Sequence, residues 1–106
     1  MYELKILSQF AAAPQLRESG GKCEQMHGHN WKVEVFVRGE TLGDNGLLID
    51  FHDVKAATHR VLEGLDHKYL NEVEPFDRLN PSSENIARHI FDALGNALNS
   101  DRVRVS

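Results

Sequence analysis

A single cysteine in 106 residues leaves this chain no intrachain disulfide, which excludes a stapled secreted scaffold and fits a reducing compartment. Basic residues are in deficit as well. Lys and Arg number 12 against 16 Asp and Glu, giving a net charge of −4 and a pI of about 5.8, so the electrostatic footprint of a nucleic-acid binder is missing. That balance still leaves room for a local basic pocket serving a phosphorylated small molecule. No apolar run approaches the roughly 18 residues of a membrane span. The opening Met1-Tyr2-Glu3-Leu4-Lys5 has neither the basic nor the apolar region of a secretory signal, so the expected location is the cytoplasm, with no membrane partner.

What is present is ordinary for a globular protein. At 106 residues, 41% hydrophobic and 26% charged, residues 1–106 are expected to form one domain with a core sufficient for independent folding. Tyr2, Leu4 and Ile6 alternate with Glu3 and Lys5, and Phe10 closes a half-buried strand over 2–10. Arg17 to Lys22 reads as a polar turn with two glycines. A second strand over about 29–38 places Trp31, Val33, Val35 and Val37 on one face and Lys32, Glu34 and Arg38 on the other. After the turn cluster Gly39–Gly46, Asp50 can cap a helix over about 51–65 with Val54, Ala57, Val61, Leu62 and Leu65 at helical spacing. A further helix starts near Pro81 to Ser83, capped by Asn80 or Ser82, with Ile86, Ile90, Leu94 and Leu98 as its stripe. Arg102-Val103-Arg104-Val105 alternates again. Two amphipathic helices, each needing a sheet face to cover, predict an α+β domain on an antiparallel sheet with both helices on one face.

The densest chemistry lies in Cys23-Glu24-Gln25-Met26-His27-Gly28-His29. Side chains two apart on a strand point the same way, so His27 and His29 can turn both rings toward one ion, and Gly28 adds no bulk between them. Neutral imidazoles suit zinc, but a catalytic zinc usually takes three protein ligands, and two are too few. The plainer reading is a buried structural thiol and two ordinary strand histidines; isolated short motifs match often by accident. His52 and His59 fall off the first helix's apolar stripe and read as solvated, while His89 borders Ile86 and Ile90 and reads as partly buried packing.

Taken together, Cys23-x-x-x-His27-Gly28-His29, Ile49-Asp50-Phe51, Leu65-Asp66-His67-Lys68-Tyr69-Leu70-Asn71 and Asn80-Pro81-Ser82-Ser83-Glu84-Asn85 stand in the order and spacing of one family. Along nearly its whole length the chain resembles the 6-pyruvoyltetrahydropterin and 6-carboxytetrahydropterin synthases, most closely the bacterial queuosine-pathway type. The resemblance implies a tunnelling fold whose sheets join between subunits into an oligomeric barrel, a trimer or a hexamer of two stacked trimers. It also implies a zinc-dependent lyase acting on 7,8-dihydroneopterin triphosphate. His27 and His29 would be metal ligands, Cys23 the general base, and Asp66 and His67 its proton partners. Ser82 and Ser83 would lie near the pterin, with simple helix capping as their alternative. Glu24, directly after the cysteine, resembles members thought to serve folate synthesis, where it can act as acid or base. Alternatives are therefore a 6-pyruvoyltetrahydropterin-type enzyme of the folate or biopterin branch, or a non-catalytic pterin-binding relative with a degenerate zinc site.

Two departures from the family's pattern matter. Its first zinc ligand lies in Phe-x-Ala-Ala-His, and here the run is Phe10-Ala11-Ala12-Ala13-Pro14. A pterin-gripping glutamate would follow Ser106, so the C-terminal strand of the family is expected to be missing from 1–106.

Overall fold

The computed structural model describes residues 1–15 and 28–106. Its elements are β1 (Tyr2–Ala13), β2 (His29–Gly39), α1 (Phe51–Glu63), β3 (Lys68–Tyr69), a short 3-10 turn (Leu70–Glu72), α2 (Ser83–Leu98) and β4 (Arg104–Val105). They form one sheet in the order β3-β1-β2-β4. The long β1–β2 ladder is antiparallel from Tyr2 opposite Gly39 to Ala12 opposite His29, and β4 is antiparallel to β2. The expected antiparallel sheet needs one refinement: β3 runs parallel to β1, Ala12 opposite Lys68 and Ala13 opposite Tyr69, so the sheet is mixed.

Alternation along the paired strands sorts the residues into two faces. Ile6, Phe10, Ala12, Val35 and Val37 are buried on one, beneath the helices. The opposite face carries Glu3 hydrogen-bonded to Arg38 and Lys5 near Glu34, and leaves Leu7 exposed. Both helices lie on the buried side, where Val54, Ala57 and Leu62 of α1 and Ile86, Ile90 and Leu94 of α2 join one core with Leu65, Leu70 and Phe76. Each fully buried aliphatic side chain there contributes roughly 1.5–3 kcal/mol.

The helix starts follow from side-chain caps. Asp50 Oδ1 accepts the His52 N–H at 2.8 Å, and Ser82 Oγ accepts the Asn85 N–H at 3.2 Å. Gly39, which ends β2, has a packing reason: an added Cβ would lie 2.6 Å from the Arg102 carbonyl and 2.7 Å from Leu48. Three boundaries differ from expectation. β1 runs three residues past Phe10, α1 stops at Glu63, and the last strand holds only Arg104 and Val105. Among the described residues no helix is long and apolar enough to cross a membrane.

Candidate active site

At one end of the β1–β2 ladder the apolar face runs out into small residues. Ala11, Ala12 and Ala13 floor an open cleft of about 460 Å³, with His29 on one wall and His67, Lys68 and Tyr69 on the other. His29 is the first residue of β2 and lies opposite Ala12. Its ring meets Trp31 edge-on at 5.4 Å, and Trp31 stacks on Phe10 at 6.0 Å, so an aromatic ladder connects the exposed imidazole to the core.

The opposite wall is set by the turn that follows α1. Asp66 Oδ1 accepts the Ala11 N–H at 2.9 Å, and the His67 N–H donates to the Ala11 carbonyl. Ala11 is thus clasped on both its peptide groups from a segment 55 residues away. The second Asp66 oxygen lies 3.5 Å from His67 Nε2, while the imidazole itself is largely exposed toward the cleft. His67 takes φ +58°, a left-handed conformation that costs a residue with a Cβ about 1–2 kcal/mol. Such strain persists only where surrounding contacts over-determine it, and it is common at functional sites.

His29, Asp66 and His67 are therefore brought to one cleft. Cys23, Glu24 and His27 lie outside the described residues. Ser82 and Ser83 do not line this cleft: Ser82 is the α2 cap, and Ser83 borders a separate apolar groove of about 440 Å³ between β2 and α2. His52 and His59 are exposed on α1, paired with Asp50 and Glu63, and His89 packs edge-on against Phe76 at 5.4 Å. Sequence reasoning did not single out Tyr69 and Asn71, although both stand in the motif that supplied Asp66 and His67. The Asn71 carboxamide binds both peptide groups of Gln15, and the Tyr69 hydroxyl donates to the Gln15 side chain.

Among the described residues the donor set does not complete a three-imidazole zinc site. Pro14, where the motif resemblance expects the first histidine, is buried and has no group that can ligate a metal. Among the described residues no cluster of three His, Cys, Asp or Glu side chains could hold an ion. The two ligands expected from the motif, His27 and His29, would be one short of the usual catalytic number, and His27 lies outside the described residues.

A helix-backed sheet with an Asp-His pair and a second histidine at its open end is the frame of a small-molecule enzyme. The chain belongs to the 6-pyruvoyl tetrahydropterin synthase family, whose sequence profile matches residues 3–106. It is 40% identical over 102 residues to an Archaeoglobus fulgidus protein provisionally named 6-carboxy-5,6,7,8-tetrahydropterin synthase, covering 95% of this chain and 84% of that one. It is 39% identical over 80 residues to the Bacillus subtilis 6-carboxy-5,6,7,8-tetrahydropterin synthase; that match takes in 72% of this chain but only 53% of the relative. The solved structure of Caenorhabditis elegans 6-pyruvoyl tetrahydropterin synthase superposes with a TM-score of 0.85 at 28% identity, over 99% of this chain and 87% of that one. The tunnelling fold expected from the motifs is the fold of this chain.

Proposed function

We propose that this protein is a 6-carboxytetrahydropterin synthase, converting 7,8-dihydroneopterin triphosphate to 6-carboxy-5,6,7,8-tetrahydropterin with loss of acetaldehyde and triphosphate, on the cytoplasmic route to queuosine. The observation that carries the reading is the Asp66–His67 pair held at the end of β1 in the same cleft as His29. The short Cys23-x-x-x-His27-Gly28-His29 spacing and the names of the bacterial and archaeal relatives favour this branch over the pyruvoyl one.

Cys23, as thiolate, takes a proton from carbon on the substrate side chain, and His67 carries protons between the cleft and solvent. Asp66 has one oxygen committed to the Ala11 N–H, which fixes the carboxylate and leaves the other beside the imidazole to set its orientation. Lys68, beside His67 in the cleft wall, supplies positive charge where a triphosphate leaves. Zinc would be held only weakly, on His27 and His29. Glu24 is assigned to substrate binding, and Ser82 and Ser83, which do not line this cleft within one chain, would reach a substrate only from a neighbouring copy in a homo-oligomer. Among the described residues the outer edges of β1 and β2 are paired over only two residues each, by β3 and by β4, and the remaining unpaired length supports such assembly, since open edges must be covered or paired.

The test is product analysis with dihydroneopterin triphosphate. Acetaldehyde together with a carboxylated pterin is the expected result, and Cys23→Ala should cut turnover by about 10²–10⁴-fold, the range of a positioned acid or base. A pyruvoyl product would move the protein to the biopterin branch. A hydroxymethyl product would point to folate synthesis and Glu24. Binding of the pterin without any turnover would make it a non-catalytic relative.

A further inference from the structure

The seam between β1 and residues 66–71 is longer than its strand pairing. Only two residue pairs, Ala12 with Lys68 and Ala13 with Tyr69, form the parallel ladder. Such a short pairing has little holding power of its own. Beyond it, Asn71 Oδ1 accepts the Gln15 N–H at 2.8 Å and Asn71 Nδ2 donates to the Gln15 carbonyl at 2.9 Å. One carboxamide thus makes the pair of bonds that a further strand residue would make. Tyr69 Oη donates to Gln15 Oε1 at 2.9 Å and fixes the same residue a third time. At the other end Asp66 and His67 clasp Ala11. The left-handed His67 therefore sits in a segment tied to β1 at both ends.

This arrangement has a consequence for register. A slip of one residue along β1 turns every side chain of a strand to the opposite face. The polar clasp on Gln15 opposes it, because the slip would leave part-buried amide groups unpaired, which costs more than a hydrogen bond contributes.

We propose that Asn71, assisted by Tyr69, is a positioning residue for the Asp66–His67 pair: by clasping Gln15 it holds residues 66–71 in register on β1 and keeps the His67 imidazole at the cleft. The proposal rests on the function proposed above, in which that pair moves protons. Asn71 touches neither substrate nor reacting atoms in this role. It acts on the rate of the chemical step and not on substrate affinity.

The experiment compares Asn71→Ala, Tyr69→Phe and Asp50→Ala with the parent, measuring kcat and KM on dihydroneopterin triphosphate, Tm, and amide hydrogen exchange at Gln15 and His67. Asn71→Ala should lower kcat about tenfold with KM within twofold, and speed exchange at both amides. Tyr69→Phe, which loses one bond, should lower kcat two- to threefold. Asp50→Ala removes the α1 cap at a comparable stability cost and should leave kcat within twofold. Faster exchange in Asn71→Ala with unchanged kcat overturns the proposal; so does a kcat loss that Asp50→Ala reproduces at equal Tm. Should Asn71→Ala fail to fold, Tyr69→Phe and Asn71→Asp, which keeps the acceptor for the Gln15 N–H but loses the donor, decide by the same kcat criterion. A parent that forms no product at all removes the proposed function and this role with it, whereas an active parent with an indifferent Asn71→Ala removes only the role of Asn71.

Discussion

The two ends of the β1–β2 ladder are held together by different forces. Toward the helix layer, Ile6, Val35 and Val37 are buried against Val54, Leu94 and Val105, and cohesion comes from apolar area removed from water. Toward the cleft, the strand carries Ala11, Ala12 and Ala13, whose side chains bury little. Cohesion there comes from side chains bonded to peptide groups: Asp66 to Ala11 and Asn71 to Gln15. The difference has a functional sense. Packing fills space, whereas polar clasps at the periphery of small residues fix a backbone and leave a hollow in which imidazoles can meet a ligand.

The comparison breaks most visibly in the core. Phe76 is fully buried, so Phe76→Ala should cost about 3–5 kcal/mol by chemical denaturation, through lost burial plus the cavity left behind. Whatever fraction of the variant remains folded should keep the parent's kcat. A loss below about 1 kcal/mol would mean that the site collapses freely and that this end is not tightly packed.

The next test concerns metal. With two imidazoles the parent should bind zinc weakly or substoichiometrically, and Pro14→His should tighten binding by about 100-fold or more by adding a third ligand. Pro14 lies two residues past Ala12, which faces His29 across the ladder, so the substituted imidazole enters near His29. Full zinc occupancy in the parent, unchanged by the substitution, would show that another residue completes the site.

Asp66→Asn separates the two duties of one side chain. The amide oxygen can still accept the Ala11 N–H, so Tm should stay close to the parent's, while kcat should fall about 10- to 100-fold as the charge beside His67 is removed. Equal loss of stability and activity would instead make Asp66 a purely structural clasp.

These contrasts also mark what was legible in the sequence. The helices were, because Val54, Ala57 and Leu62, and Ile86, Ile90 and Leu94, repeat at a period that only a buried helical face explains, with Asp50 and Ser82 at the caps. The extension of β1 through Ala13 was not, since three alanines carry no alternation. Nor was β3, because two residues cannot express a period. His29 and the Asp66–His67 pair entered through motif resemblance. What holds them could not: the clasps on Ala11 and Gln15 join residues 55 and 56 apart, and the positive φ of His67 lies within the segment those contacts tie to β1. Pro14 was visible as a broken motif, yet its burial, which says that it fills space, needed the fold.

The smallest expected effect belongs to Ser82. Its Oγ accepts the Asn85 N–H, one of the orphan donors at the start of α2, and Asn85 in turn donates from its side chain to the Asn80 carbonyl, tying the cap to the preceding loop. Ser82→Ala should therefore destabilise by about 1 kcal/mol, the usual worth of such a cap. If capping is its whole role, KM for the pterin triphosphate should not move, and Ser82→Asp, an equally good cap, should restore stability. If Ser82 also binds substrate, as assigned above, KM should rise several-fold in Ser82→Ala and stay raised in Ser82→Asp, where the cap is repaired but the hydroxyl donor is not. A KM unmoved in Ser82→Ala, with stability restored in Ser82→Asp, would place Ser82 wholly with the packed end of the molecule and remove it from the site.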